Sequence, residues 1–206
     1  MKKLDTNLYF ITDSTGFEQE EFLLRVEQAL MGGVTLLQLR EKNKTTREYI
    51  FLAEKVHEIS KKYGVPLIID DRVDVAMAAG AEGVHLGRSD MPIATARKIL
   101  GDDIIIGATA KTVPQALEAY EGGADYLGVG AIYPTTTKVK TVITSTDTLR
   151  DICRAVPIPV NAIGGLNINN MGILSGIPIS GICVVSAIMK AADVKKAAME
   201  LKERIK

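Results

Sequence analysis

Short apolar runs recur along this chain of 206 residues, and each is followed by a stretch with helical spacing. The runs are "LYFIT" (8–12), "TLLQLR" (35–40), "PLIID" (66–70), "GVHLG" (83–87), "IIIGAT" (104–109), "YLGVGA" (126–131), "PVNAIG" (159–164) and "GICVVSA" (181–187). Helices are predicted at 18–31, 45–63, 112–121 and 193–205. Thr45 or Thr46, and Thr112 with Gln115 three residues on, have the character of N-terminal caps. Glycines in "GGV" (32–34), "YGVP" (63–66), "AGAEG" (79–83) and "GGAD" (122–125) stand where helices end. Strict β/α alternation means parallel strands with helical crossovers, because parallel neighbours cannot be joined by a tight turn. Eight such units in this length predict an α/β fold, a single-domain (β/α)8 TIM barrel over residues 1–206. A doubly wound open sheet is the rival. No G-x-G-x-x-G opens the first helix, which weakens a dinucleotide-binding reading.

Lys plus Arg equals Asp plus Glu at 25 each, so a general attraction to nucleic acid or an anionic membrane has no electrostatic basis. The opening "MKKLDTNLYFITD" lacks the apolar run of a signal peptide, and no segment approaches a membrane span. Cys153 and Cys183 are widely separated, with no second ligand spaced nearby, which favours free thiols in a reducing compartment. A cytoplasmic protein is expected. An exposed helix face would suit a homo-oligomer, but no pattern singles one out.

In a barrel of this kind the chemistry sits at the C-terminal ends of the strands. Strand 2 ends in Gln38, Arg40 and Lys42, at every second position, so they share one face while Leu37 and Leu39 share the other. Strand 3 runs into Asp70 and Asp71, strand 4 leads to Asp90, and strand 5 ends at Thr109. Strand 6 runs into Thr135, Thr136, Thr137 and Lys138, strand 7 into Gly164 and Gly165, and strand 8 into Val185 and Ser186. Asp71 and Asp90, from adjacent units, are placed to hold one hard cation such as Mg²⁺, which binds through few carboxylates plus substrate phosphate oxygens. Arg40 and Lys42 beside that metal form an anion clamp suited to a diphosphate. The loops after strands 7 and 8 supply glycines and a serine for a second anion. Two anion sites at one mouth imply two small phosphorylated substrates, or one substrate phosphorylated at both ends.

Plainer readings exist for each residue. Arg40 and Lys42 would also suit structural salt bridges with Glu41 or Asp71. A single aspartate at position 71 suits a cap for a helix from Val73. His57, in a charged helix, reads as solvated, and His85 as a core histidine. Met77, Met171 and Met189 read as core or capping residues.

The blocks "YFITD", "GVTLLQLREK", "IIDDRVDVAMAAGAEGVHLGRSDMP", "IGATAKT", "GADYLGVGAIYPTTTK", "AIGG" and "VVSAI" together resemble the thiamine-phosphate synthase family over nearly the whole chain. The resemblance implies a transferase that makes thiamine phosphate from an aminopyrimidine methyl diphosphate and a thiazole phosphate, releasing diphosphate with Mg²⁺. It implies pyrimidine-diphosphate contacts at Gln38, Arg40, Lys42, Asp70, Thr109 and Lys138, with Leu39 and Glu41 beside them. Lys138, Arg40 and Thr109 become the catalytic candidates, and Asp71 and Asp90 the metal ligands. Thr135, Thr136, Thr137, Gly165, Val185 and Ser186 become thiazole-phosphate contacts. Arg88 stands where the family usually has Gln, Asp70 where Asn is frequent, and Asn161 where a small apolar residue is usual. The segment "KVKTVITSTDTL" lacks the usual glycine-bearing lead into the next helix. A thiazole tautomerase-like relative and a non-catalytic phosphate- or thiamine-precursor-binding barrel are the alternatives.

Overall fold

The computed structural model describes residues 4–134 and 142–205. Its strands are β1 (Leu8–Ile11), β2 (Leu36–Leu39), β3 (Leu67–Asp70), β4 (Gly83–Leu86), β5 (Ile105–Ala110), β6 (Tyr126–Gly130), β7 (Val160–Ile163) and β8 (Gly181–Val184). The helices are α1 (Gln19–Met31), α2 (Thr46–Lys62), α3 (Val73–Ala78), α4 (Ile93–Leu100), α5 (Val113–Glu121), α6 (Thr146–Ala155), α7 (Ser186–Met189) and α8 (Val194–Arg204). The strands pair in sequence order, all parallel, and β8 pairs back onto β1 to close the barrel. The four helices expected from spacing form within one residue of the expected ends. Thr45 makes a full capping box with Glu48, and Thr112 Oγ1 accepts from Gln115 N. The β7–β8 crossover is shorter: only a 3-10 turn, Met171–Leu174, lies there, in a segment crowded with Asn, Gly and Pro.

Alternation along the strands sorts the apolar side chains into two cores. Leu8, Phe10, Leu37, Leu39, Leu67 and Ile69 pack outward against the helices. Tyr9, Ile11, Leu36, Ile68, Tyr126 and Cys183 fill the barrel interior. Met171 and Met189 are buried as expected, whereas Met77 is 57% exposed and belongs to neither core. Both cysteines are free thiols. Among the described residues no helix is long and apolar enough to cross a membrane.

The N-terminal end of the barrel is pinned by polar residues that precede a strand and catch an N–H at the first or second position of the strand before it. Thr35 Oγ1 accepts from Leu8 N at 3.0 Å, Glu82 Oε2 from Leu67 N at 2.8 Å, and Asp125 Oδ2 from Ile106 N at 2.7 Å. The two acids also hold a base from the outer helices: Arg97 Nη2 lies 2.7 Å from Asp125, and His57 Nε2 lies 2.9 Å from Glu82 Oε1. His57 is therefore not solvated, as its charged helix suggested; it is 3% exposed, with Nδ1 also 3.1 Å from Ala79 O. Its partners lie more than twenty residues away in sequence, where local charge patterning does not reach.

Glu82→Ala strands the buried Leu67 N–H and one imidazole nitrogen. A loss of about 1–3 kcal/mol in unfolding free energy is expected, the usual cost of an unpaired buried donor. Urea denaturation reads it as a lower midpoint at an unchanged slope.

Candidate active site

The C-terminal strand ends surround a cavity of about 540 Å³. Gln38, Arg40 and Lys42 line one wall, as their spacing requires, and Leu39 turns outward into the helix-facing core. Glu41 does not line the cavity either: its Oε2 accepts from Ser14 Oγ at 2.8 Å. Asp70, Asp71, Asp90 and Thr109 continue the wall across β3, β4 and β5.

Asp71 leaves β3 in a left-handed backbone conformation, φ 60°, which Asp and Asn tolerate better than other non-glycine residues. Its N–H donates to His85 O at 2.9 Å, extending the β3–β4 ladder past the strand. The helix-cap reading of Asp71 fails: Arg72 occupies the cap position of α3, and no side chain caps that helix. Instead Lys42 Nζ bonds Asp71 Oδ2, lies 2.6 Å from Asp70 Oδ2, and shares Asp70 with Arg40 Nε at 3.7 Å. The cations of the β2 stripe are thus paired with the carboxylates at the end of β3, and among the described residues neither makes an ion pair with Glu41.

Burial pushes the Asp70 carboxyl above its ordinary range, and the like charge of Asp71 adds to it against Lys42 and Arg40. For Lys42, burial acts downward but the two carboxylates more than offset it, so its ammonium is held above the usual range. Asp90 is raised by burial, against a Gly87 N–H donated to its Oδ2 at 2.7 Å, and raised further by Asp71, which is in hydrogen-bonding contact. Asp71 and Asp90 therefore form adjacent hard oxygen donors whose repulsion a cation would relieve. That donor set fits Mg²⁺, which takes one or two carboxylates and keeps its other positions for water and phosphate. Among the described residues no group of three His, Cys, Asp or Glu side chains gathers for a metal.

The opposite wall carries Gly164, Gly165, Val185 and Ser186. Gly165 has φ 66°, and a Cβ there would stand 2.7 Å from Tyr133 Cβ and 2.8 Å from Pro134 O, so only glycine fits. Asn170 Nδ2 donates to Gly165 O at 2.8 Å and holds the turn. Thr135, Thr136, Thr137 and Lys138 lie outside the described residues.

Fold and site together define a (β/α)8-barrel protein with a charged, two-walled cavity at the C-terminal strand ends, where barrel enzymes carry their chemistry. Residues 8–188 match the family described as thiamine monophosphate synthase. Thiamine-phosphate synthase 2 of Streptococcus pneumoniae strain TIGR4 is 51% identical over 195 residues, covering 95% of this chain and 93% of the relative. Thiamine-phosphate synthase of Clostridium tetani is 48% identical over 200 residues, covering 97% and 96%. The solved thiamine phosphate pyrophosphorylase of Pyrococcus furiosus superposes with a TM-score of 0.89 at 41% identity, covering 98% of this chain and 96% of that one. The chain belongs to the thiamine monophosphate synthase family and is a transferase of thiamine biosynthesis.

Several cavity residues escape a reading of strand ends. Lys111 lines the mouth two residues after Thr109, so the every-second-position rule that exposes the β2 stripe would have found it on β5. Gln115 joins it, its Oε1 accepting from Lys111 N at 2.9 Å. Arg88 lines the rim and faces Glu118 at 3.6 Å, an exposed pair of little energetic weight. His85, read as core, is half-buried and reaches the cavity. Asn161, by contrast, is fully buried, and its Nδ2 bonds Thr6 O at the other end of the barrel.

A carboxyl raised in the folded protein disfavours ionisation there. Stability is then present below the unfolded pKa of about 3.9 and is lost as pH rises through the folded value. Asp90→Asn keeps an oxygen for the Gly87 N–H and removes that loss. The variant should melt higher than the parent at neutral pH and show no such gain near about pH 3. An equal offset at both pH values, read by thermal melts, would mean that Asp90 ionisation is not the cause.

Proposed function

We propose that this transferase joins an aminopyrimidine methyl diphosphate to a thiazole phosphate, forming thiamine phosphate and releasing diphosphate. One observation carries the reading: a single cavity joins a cation–carboxylate wall (Arg40, Lys42, Asp71, Asp90) to a wall of backbone and hydroxyl (Gly165, Val185, Ser186). The names of the relatives point to the same product. Gln38 and Thr109 would contact the pyrimidine from the barrel interior, with Asp70 beside them. Arg40 supplies paired planar donors to the diphosphate and Lys42 a compact charge, and Lys138 is assigned to the same group from its place in the sequence. Gly165, Val185 and Ser186, with Thr135, Thr136 and Thr137, are assigned to the thiazole phosphate.

The chemistry suits a dissociative substitution, which calls for no nucleophile–base pair. The methylene C–O bond breaks, its electron pair leaves with the diphosphate, and the electron-rich aminopyrimidine holds the carbocation until the thiazole nitrogen bonds to it. Arg40, Lys42 and Lys138 face charge that grows as the bond breaks, so they stabilise the transition state more than the bound substrate. When bound by Asp71 and Asp90, Mg²⁺ would neutralise part of the leaving-group charge. A protein of the reducing cytoplasm accords with its two free thiols.

Mixing both substrates with Mg²⁺ should give diphosphate and thiamine phosphate in equal amounts. Isomerised thiazole alone would indicate a tautomerase, and neither product a binding protein. Asp71→Asn should cut turnover roughly 10²–10³-fold, the usual loss for one preorganised charge contact, and raise the Mg²⁺ requirement. Unchanged turnover at low Mg²⁺ would refute the metal assignment. Gly165 is unsuited to testing the second wall, because any side chain there collides with Tyr133. Ser186 is exposed and accepts a change. Ser186→Asp should raise KM for the thiazole phosphate at least about tenfold through charge repulsion while leaving KM for the pyrimidine within about twofold. The opposite pattern would mean the two walls are reversed.

A further inference from the structure

Beneath the cavity floor Gln38 and Thr109 are joined by a hydrogen-bonded chain whose inner members, Tyr9, Tyr126 and His85, the mechanism above does not use. Gln38 Nε2 donates to Tyr9 OH at 2.5 Å, and the Tyr9 and Tyr126 hydroxyls lie 2.6 Å apart. Tyr126 OH lies 3.1 Å from His85 Nδ1, and His85 Nε2 lies 2.9 Å from Thr109 Oγ1. Gln38, His85 and Thr109 line the cavity, whereas Tyr9 and Tyr126 are fully buried below it. The barrel is shaped around this chain. A Cβ at Gly107 would stand 2.1 Å from Tyr126 Cζ, so β5 gives the phenol its space. The Tyr126 ring meets Tyr9 edge-on at 5.5 Å between centroids.

Such a chain has a direction. Each phenol carries one proton and a neutral imidazole one N–H. With Gln38 donating, the protons run head to tail: Tyr9 donates to Tyr126, Tyr126 to His85 Nδ1, and His85 Nε2–H to Thr109 Oγ1. Burial pushes both phenols well above their ordinary pKa, so they remain O–H donors. In this direction Gln38 keeps its amide oxygen as an acceptor, and Thr109 keeps its hydroxyl proton as a donor, for a molecule in the cavity. The reverse direction would offer an N–H at Gln38 and a lone pair at Thr109. While each phenol and the imidazole spend their one proton on the next link, neither end turns without the links between them, so two strands on different sides of the barrel are set together.

We propose that the relay Tyr9–Tyr126–His85 fixes Gln38 as acceptor and Thr109 as donor, and so selects an aminopyrimidine over the analogue bearing a carbonyl in place of the amine. This rests on the pyrimidine assignment of the proposed function. The amine donates to Gln38 Oε1, and a ring nitrogen accepts from Thr109 Oγ1–H. A carbonyl in the amine's place sets oxygen against oxygen at Gln38. Tyr126 and Tyr9 are positioning residues, since they act on the substrate only through the two ends.

Two readouts separate this inference from the function beneath it. The chain has two histidines, so ¹⁵N imidazole spectra of the whole protein, with His57→Gln as the assignment control, report the His85 tautomer without any substrate. The Nε2–H tautomer is expected in the parent, and its loss in Tyr126→Phe; an Nδ1–H tautomer in the parent would overturn the proposal. The second readout is kcat/KM for the amino substrate over that for the carbonyl analogue. Tyr126→Phe and Tyr9→Phe should each lower this ratio at least about tenfold, the worth of roughly one hydrogen bond, while KM for the thiazole phosphate stays within about twofold. Ile68→Val, an apolar interior change, should lower thermal stability and leave the ratio unchanged. An unchanged ratio in both folded Phe variants, or an equal fall in Ile68→Val, would overturn it. If the parent turns over neither pyrimidine, the substrate reading fails, while the tautomer result still stands or falls alone.

Discussion

Closure of eight short parallel strands is the constraint from which the rest follows. Every second residue must point into a narrow interior, and there is not room for a large side chain at each of those positions. Glycines therefore face bulky partners. A Cβ at Gly83 would stand 2.6 Å from Ile68 Cδ1, and Gly107 makes way for Tyr126. The lower interior is filled this way with Leu36, Ile68, Tyr9 and Tyr126. Higher up, the same inward positions carry Gln38, Asp70, His85 and Thr109, all of which line the cavity. The site is thus the polar continuation of the core, held by backbone that the ladder already fixes.

That construction explains what the sequence disclosed. Period-two alternation in "LLQLREK" and the punctuation of helices by glycine are local signals, and they located the strands, the helix ends and the Gln38–Arg40–Lys42 stripe. Partnerships across the barrel are not local. Tyr9 and Tyr126 meet 117 residues apart, and their hydroxyls look in the sequence like ordinary core aromatics. His57 looked solvated because its neighbours in α2 are charged, yet the residues that bury it belong to the α3–β4 turn. Met77 erred the other way: α3 buries Val73, Val75 and Ala76, and Met77 falls outside that buried face. Asp71 was ambiguous because one aspartate after a strand serves equally as cap or ligand until its backbone conformation is known.

The electrostatics of the mouth are sharper than the balanced composition suggests. At the ends of β2, β3 and β4 two cations, Arg40 and Lys42, meet three carboxylates, Asp70, Asp71 and Asp90, while Lys111 and Arg88 stand further round the mouth. Lys42 is engaged with both Asp70 and Asp71, and burial first, with the like charge of Asp71 behind it, raises the carboxyls of Asp70 and Asp90 despite that pairing.

This balance changes the meaning of the β2 stripe. Two cations at a strand end suggest an anion clamp complete in itself, but here both are already paired with neighbouring carboxylates. On the proposed function, a divalent cation between Asp71 and Asp90 would offset their mutual repulsion and compete with Lys42 for Asp71. Lys42 would then keep Asp70 as its partner and turn its remaining donors to the diphosphate. On the proposed function, metal and diphosphate therefore bind as a linked pair, each improving the site for the other. Asp70 sharpens the linkage: an asparagine there would remove the carboxylate that Arg40 and Lys42 share, whereas the aspartate keeps both cations engaged.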